Sequence, residues 1–78
     1  MTKPSERLAS ILKKRGITAY RLSQVSTLPQ SHISDLLKRD RRITARTALF
    51  LGAALQMDPK ELMAWQSEWD LHLLGGEE

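Results

Sequence analysis

Pro29 interrupts an apolar pattern that would otherwise run unbroken from Thr18 to Leu37, and this decides how the middle of the chain can fold. Proline has a fixed φ and no amide hydrogen, so it suits a first helical turn and breaks a helix interior. The stretch TAYRLSQVSTLPQSHISDLL therefore cannot be one helix; it reads as two short helices joined by a tight turn. The first starts behind Thr18, a cap candidate with Arg21 at the third helical position, and turns Leu22 and Val25 inward. The second packs Ile33, Leu36 and Leu37 inward and leaves Gln30, Ser31, Ser34 and Asp35 largely outward.

Three more helices flank this pair. One runs from about 5 to 15: Ser5 is its expected cap, Glu6 suits its positive pole, and Leu8, Ile11 and Leu12 share a face. Lys13, Lys14 and Arg15 suit its C-terminus, and Gly16 ends it in the left-handed conformation. Thr44 caps a fourth helix through Leu55, with Ala48, Leu51 and Leu55 as its core stripe and Leu49 or Phe50 broadening it. Gly52 lies inside it, where glycine lowers helicity by up to about 1 kcal/mol, so a close helix contact is expected there. The segment DPKE at 58–61 starts the fifth helix, with Asp58 as cap and Pro59 first. It should run to Leu73 or Leu74, where Gly75 and Gly76 stop it and leave a short acidic end. The expected fold is all-α, a single compact five-helix domain over 1–78.

With 78 residues and no cysteine, neither a disulfide framework nor a cysteine zinc site can stabilise the core, so apolar packing must. MTKPSERLAS lacks the apolar centre of a signal peptide, and no 18-residue apolar run occurs, so the cytoplasm is the expected compartment. No cofactor or metal is implied; His32 and His72 are too far apart in sequence to suggest a shared site. Ser31, His32 and Asp35 crowd one exposed helix face without a cleft or oxyanion site, so no enzyme is expected.

Charge is unevenly placed. Residues 1–57 carry eleven Lys or Arg against three Asp or Glu, whereas residues 58–78 carry one against six. Five basic side chains lie between Lys38 and Arg46, directly after the helix pair, a density that attracts a phosphate backbone. Alone, such a run would read as a solvated loop. Behind a helix pair with helix-turn-helix dimensions it points to duplex DNA, with the second helix laid in the major groove by its N-terminal end.

On that reading Gln30 can pair bidentately with adenine and Ser31 can meet a base edge or phosphate, while Ser34 and Asp35 lie one turn deeper. Asp35 can accept from a cytosine amino group, or instead exclude wrong sequences or pair with Arg39 on its own face. Arg41, Arg42 and Arg46 are placed to clamp phosphates, with Lys38, Arg39 and His32 in reach and Tyr20 and Arg21 touching the backbone from the other side. His32 and Tyr20 have structural alternatives, as a partly buried imidazole and a half-buried spacer. On helix five Leu62, Trp65, Trp69 and Leu73 form a large apolar load; one tryptophan suits the protomer core and the other a two-fold interface, making 59–74 the expected dimerisation helix.

The segment from Ile17 to Leu71 resembles the lambda-repressor-like (XRE/Cro-C1) helix-turn-helix domains, and within them the HigA-type antitoxins. KRDRRITARTALFLGAAL is similar to that group's basic loop and following helix, and DPKELMAWQSEWDL to its final helix, with Trp65, Asp70 and Leu71 on the pattern. Two positions depart: Thr27 stands where the turn usually holds Gly, and Ala19 where Gln is frequent. The resemblance implies a five-helix fold, a homodimer, autoregulatory repression through an inverted repeat, and a small ribonuclease toxin as partner. A stand-alone phage or chromosomal repressor would share these residues, and a protein-binding adaptor without DNA affinity is the alternative from another class.

Overall fold

A computed structural model describes residues 2–75; Gly76 and the acidic end lie outside the described residues. Five helices follow in order: α1 (Pro4–Arg15), α2 (Ala19–Ser26), α3 (Gln30–Lys38), α4 (Ala45–Leu55) and α5 (Pro59–Leu73). No strand occurs among the described residues.

The helix starts follow their caps. Thr18, Thr44 and Asp58 each accept a backbone N–H of the first turn, from Arg21, Thr47 and Lys60 respectively. Gly16 closes α1 in the left-handed region. Two starts differ from expectation. Lys3, not Ser5, caps α1: its N–H donates to Glu6, Pro4 takes the first helical position, and the Ser5 hydroxyl is committed to Asp40 across the fold. Pro29 precedes α3 as its cap, with extended backbone, instead of opening its first turn.

The core draws on every helix: Leu8 and Leu12 of α1, Leu22 of α2, Ile33 and Leu36 of α3, Ala48, Leu51 and Leu55 of α4, Leu62 and Trp65 of α5. Leu28 and Ile43 join from the connections. α4 lies against α2 and α5, while α1 closes over α3 and α5. Val25 is exposed, against expectation, because the buried stripe of the short α2 runs from Leu22 to Ser26. The Ser26 hydroxyl accepts the Leu28 N–H, which directs the chain into the turn. Leu49 is also exposed; Phe50 is the residue that broadens the α4 stripe.

Gly52 is buried where the α4–α5 connection crosses α4. A Cβ there would stand 2.7 Å from the Met57 carbonyl oxygen, a backbone atom that cannot swing aside. The close contact expected from the sequence is thus with the connection itself, whose Met57 N–H donates to the Gly52 carbonyl.

Candidate nucleic-acid interface

The turn between α2 and α3 sets where α3 begins. Thr27 occupies the left-handed region at φ 60°, a conformation glycine adopts at least cost. Gln30 and Ser31 follow on the exposed first turn of α3, and Ser34 and Asp35 are half-buried one turn on. Beside them opens a cleft of about 550 Å³ whose walls include Pro29, His32, Arg41, Arg46, Thr47 and Phe50. The first turn of α4 contributes its positive pole to this cleft, and the Arg46 guanidinium lies 5.8 Å from the centre of the Phe50 ring.

His32 forms the inner wall, its Nε2 3.4 Å from the Thr47 hydroxyl. Burial lowers its pKa, Arg41 lowers it further, and Asp35 opposes both. The ring is therefore predominantly uncharged at neutral pH, a hydrogen-bonding group more than a cation. Tyr20 and Arg21 are exposed on α2, and the Tyr20 hydroxyl accepts from the Gln24 amide.

The connection from Arg39 to Thr44 is held from three sides. Within α3, the Asp35 carboxylate pairs with Arg39 at 3.8 Å and Arg41 at 3.7 Å, while its carbonyl accepts both of their backbone N–H groups. Toward α1, Asp40 takes a left-handed backbone and accepts from the Ser5 hydroxyl at 2.6 Å and the Lys3 ammonium at 3.2 Å. These hydrogen bonds, Ser5's first, hold its carboxyl below the usual range.

Toward α5, the buried Gln66 amide accepts the Ile43 N–H at 2.9 Å and donates to Asp70 at 3.0 Å. Asp70 in turn receives both terminal nitrogens of Arg42, at 2.8 and 2.7 Å. This fork lowers the Asp70 pKa, with Gln66 contributing, and raises that of Arg42.

The structure thus gathers His32, Arg41 and Arg46 around one cleft near Gln30 and Ser31, with Lys38 and Arg39 exposed farther along. Arg42, expected on a phosphate, is turned instead to Asp70. Of the four apolar residues expected at a two-fold interface, Leu62 is fully buried and Trp65 is 7% exposed, so both belong to the protomer core. They sit on the α5 face turned toward α1 and α4, and the Arg7 guanidinium covers the Trp65 ring at 5.8 Å. Trp69 is half-buried, whereas Leu73 is exposed together with Leu71 and Leu74.

The sequence reading missed Ser5, Asp40, Gln66 and Asp70 as the residues that fix the basic connection. Only Gln66 and Asp70 left a local signal: they are four apart on one helix, a spacing at which Gln and Asp side chains meet.

No curated protein gives a significant match to this chain. Residues 7–68 match the Cro/C1-type HTH DNA-binding domain, a span that contains the α2–α3 pair, the basic connection and most of α5. The chain belongs to the Cro/C1-type helix-turn-helix DNA-binding family, and its function class is DNA-binding transcription regulation.

Proposed function

We propose that this protein is a repressor that reads an inverted-repeat operator as a homodimer. The observation that carries the reading is the exposed pair Gln30 and Ser31 at the start of α3, beside a cleft walled by Arg41 and Arg46. In a major groove Gln30 supplies both a donor and an acceptor to adenine, and Ser31 meets a neighbouring base edge or phosphate. Ser34 meets bases farther along α3, while the Asp35 carboxylate is held by Arg39 and Arg41 beside it and acts by excluding wrong sequences. Arg41 and Arg46 grip the phosphates, with Lys38, Arg39 and His32 adding contacts there and Tyr20 and Arg21 on the α2 side.

One α3 spans too few base pairs to select an operator, and a two-fold pair places two such helices about 34–36 Å apart. The apolar end of α5 supports the pairing surface, since Leu71, Leu73 and Leu74 are 64, 63 and 86% exposed beside the half-buried Trp69. The resemblance to HigA-type antitoxins supports an autoregulating antitoxin, with a small ribonuclease toxin as second partner.

The test is titration onto the protein's own upstream promoter and onto a scrambled duplex at two salt concentrations, with Gln30→Ala beside the unaltered protein. Promoter-selective binding that the substitution weakens by about 1–3 kcal/mol is expected. Equal weak binding to both duplexes, or none, would remove the repressor reading.

A further inference from the structure

We propose that Asp70 limits sequence-independent DNA affinity: it occupies the Arg42 guanidinium in place of a DNA phosphate and keeps one cation of the basic connection off the backbone. The inference rests on the DNA-binding reading of that connection. A carboxylate offers a guanidinium the same planar pair of acceptors that a phosphate does, and the Arg42–Asp70 fork makes both bonds at 2.7–2.8 Å.

Asp70 is itself held in place. Gln66 donates to Oδ1 of Asp70 through the amide nitrogen while its oxygen accepts the buried Ile43 N–H, so the Gln66 orientation is fixed from both ends. Arg42 is bound to the same carboxylate that Gln66 anchors. The neighbouring Arg41 is held differently: it stands 3.7 Å from Asp35, with no fork, and faces the cleft.

Backbone contacts raise affinity for every sequence alike, whereas base contacts at Gln30 and Ser31 discriminate. Withholding Arg42 therefore lowers binding to random duplex by one phosphate contact and leaves base reading intact. Operator and random duplex lose that contact alike, so the ratio between them stays with α3 while absolute affinity and its salt dependence fall.

The readout is the slope of log affinity against log salt on a scrambled duplex. Arg41→Ala should reduce the magnitude of that slope by about 0.9, one phosphate on B-DNA. Arg42→Ala should leave it unchanged. Asp70→Asn removes the charge but keeps an acceptor for Gln66; it should steepen the slope by about 0.9 and tighten random-duplex binding. In the double variant with Arg42→Ala that gain should vanish, which separates release of Arg42 from simple loss of a negative charge.

A slope lowered by Arg42→Ala alone would overturn the proposal, because Arg42 would then already contact DNA. So would an unchanged slope in Asp70→Asn, or a gain that persists without Arg42. Should Asp70→Asn fail to fold, Asp70→Ser serves as the second variant, with the same steepening expected and the same loss of that gain when it is combined with Arg42→Ala. If Arg41→Ala also leaves the slope unchanged, the basic-connection reading fails, and this proposal with it.

Discussion

The two ends of α3 present opposite kinds of polar surface. At its start, Gln30 and Ser31 are exposed, and neither side chain forms an internal hydrogen bond among the described residues. Toward and past its other end, polar groups are committed: Asp35 to Arg39 and Arg41, Asp40 to Ser5 and Lys3, Arg42 to Asp70, Ile43 N–H to Gln66. The first end keeps its hydrogen-bonding capacity for a ligand; the second uses most of it to hold its own shape. The number of basic residues in a segment therefore overstates the number that can meet phosphates, since carboxylates elsewhere in the fold claim some of them.

The contrast breaks most readily at Gln66. Gln66→Met keeps the side chain's bulk but strands the buried Ile43 N–H, and should lower stability by about 1–3 kcal/mol in urea unfolding. A change within a few tenths of a kcal/mol would mean that the connection is not anchored through α5. At the other end, Thr27→Gly should stabilise. A side chain in the left-handed region costs about 1–2 kcal/mol, and the extra freedom of unfolded glycine returns about 0.5–1 kcal/mol of that. The net gain, up to about 1.5 kcal/mol, should raise the melting temperature by a few degrees, and a lower melting temperature would refute the strained turn.

Acid should separate the two ends by a smaller effect. Asp40 and Asp70 have folded pKa values below their unfolded ones, so their contribution is complete above the ordinary carboxylate range near about 3.9. It is lost as pH falls through their lowered values. His32 is also lowered, so the folded state resists its protonation and stability begins to decline once pH drops below about 6.5. Urea midpoints from pH 7 to 3 should thus fall in two stages. Asp70→Asn should flatten only the more acidic one; an unaltered acid limb in that variant would count against the Asp70 anchor.

Helix existence was legible because its signals are local: Pro29 and Pro59 at helix starts, the Thr18, Thr44 and Asp58 caps, and Gly16 at a helix end. The outward placement of Gln30 and Ser31 followed from helical period alone. The hold on the basic connection was not legible, because its partners are distant in sequence. Ser5 and Asp40 are 35 residues apart, Arg42 and Asp70 28, and Ile43 and Gln66 23. Such pairs exist only once α1 and α5 have closed on either side of the connection. The same closure buries Leu62 and Trp65, which an apolar pattern on an isolated helix cannot distinguish from a face awaiting a partner.

The two tryptophans fall in different surroundings, which gives the molecule an optical gauge of its own. Trp65 is enclosed in the core, whereas Trp69 lines a small hollow with Lys3, Ser5, Asp40, Arg41 and Gln66, the side chains that grip the basic connection or belong to it. Its ring also lies 5.2 Å from that of His72. Movement of the connection changes the quenching groups around Trp69 and leaves Trp65 as a constant background, so unlabelled protein carries an emission signal for the state of its phosphate-facing segment.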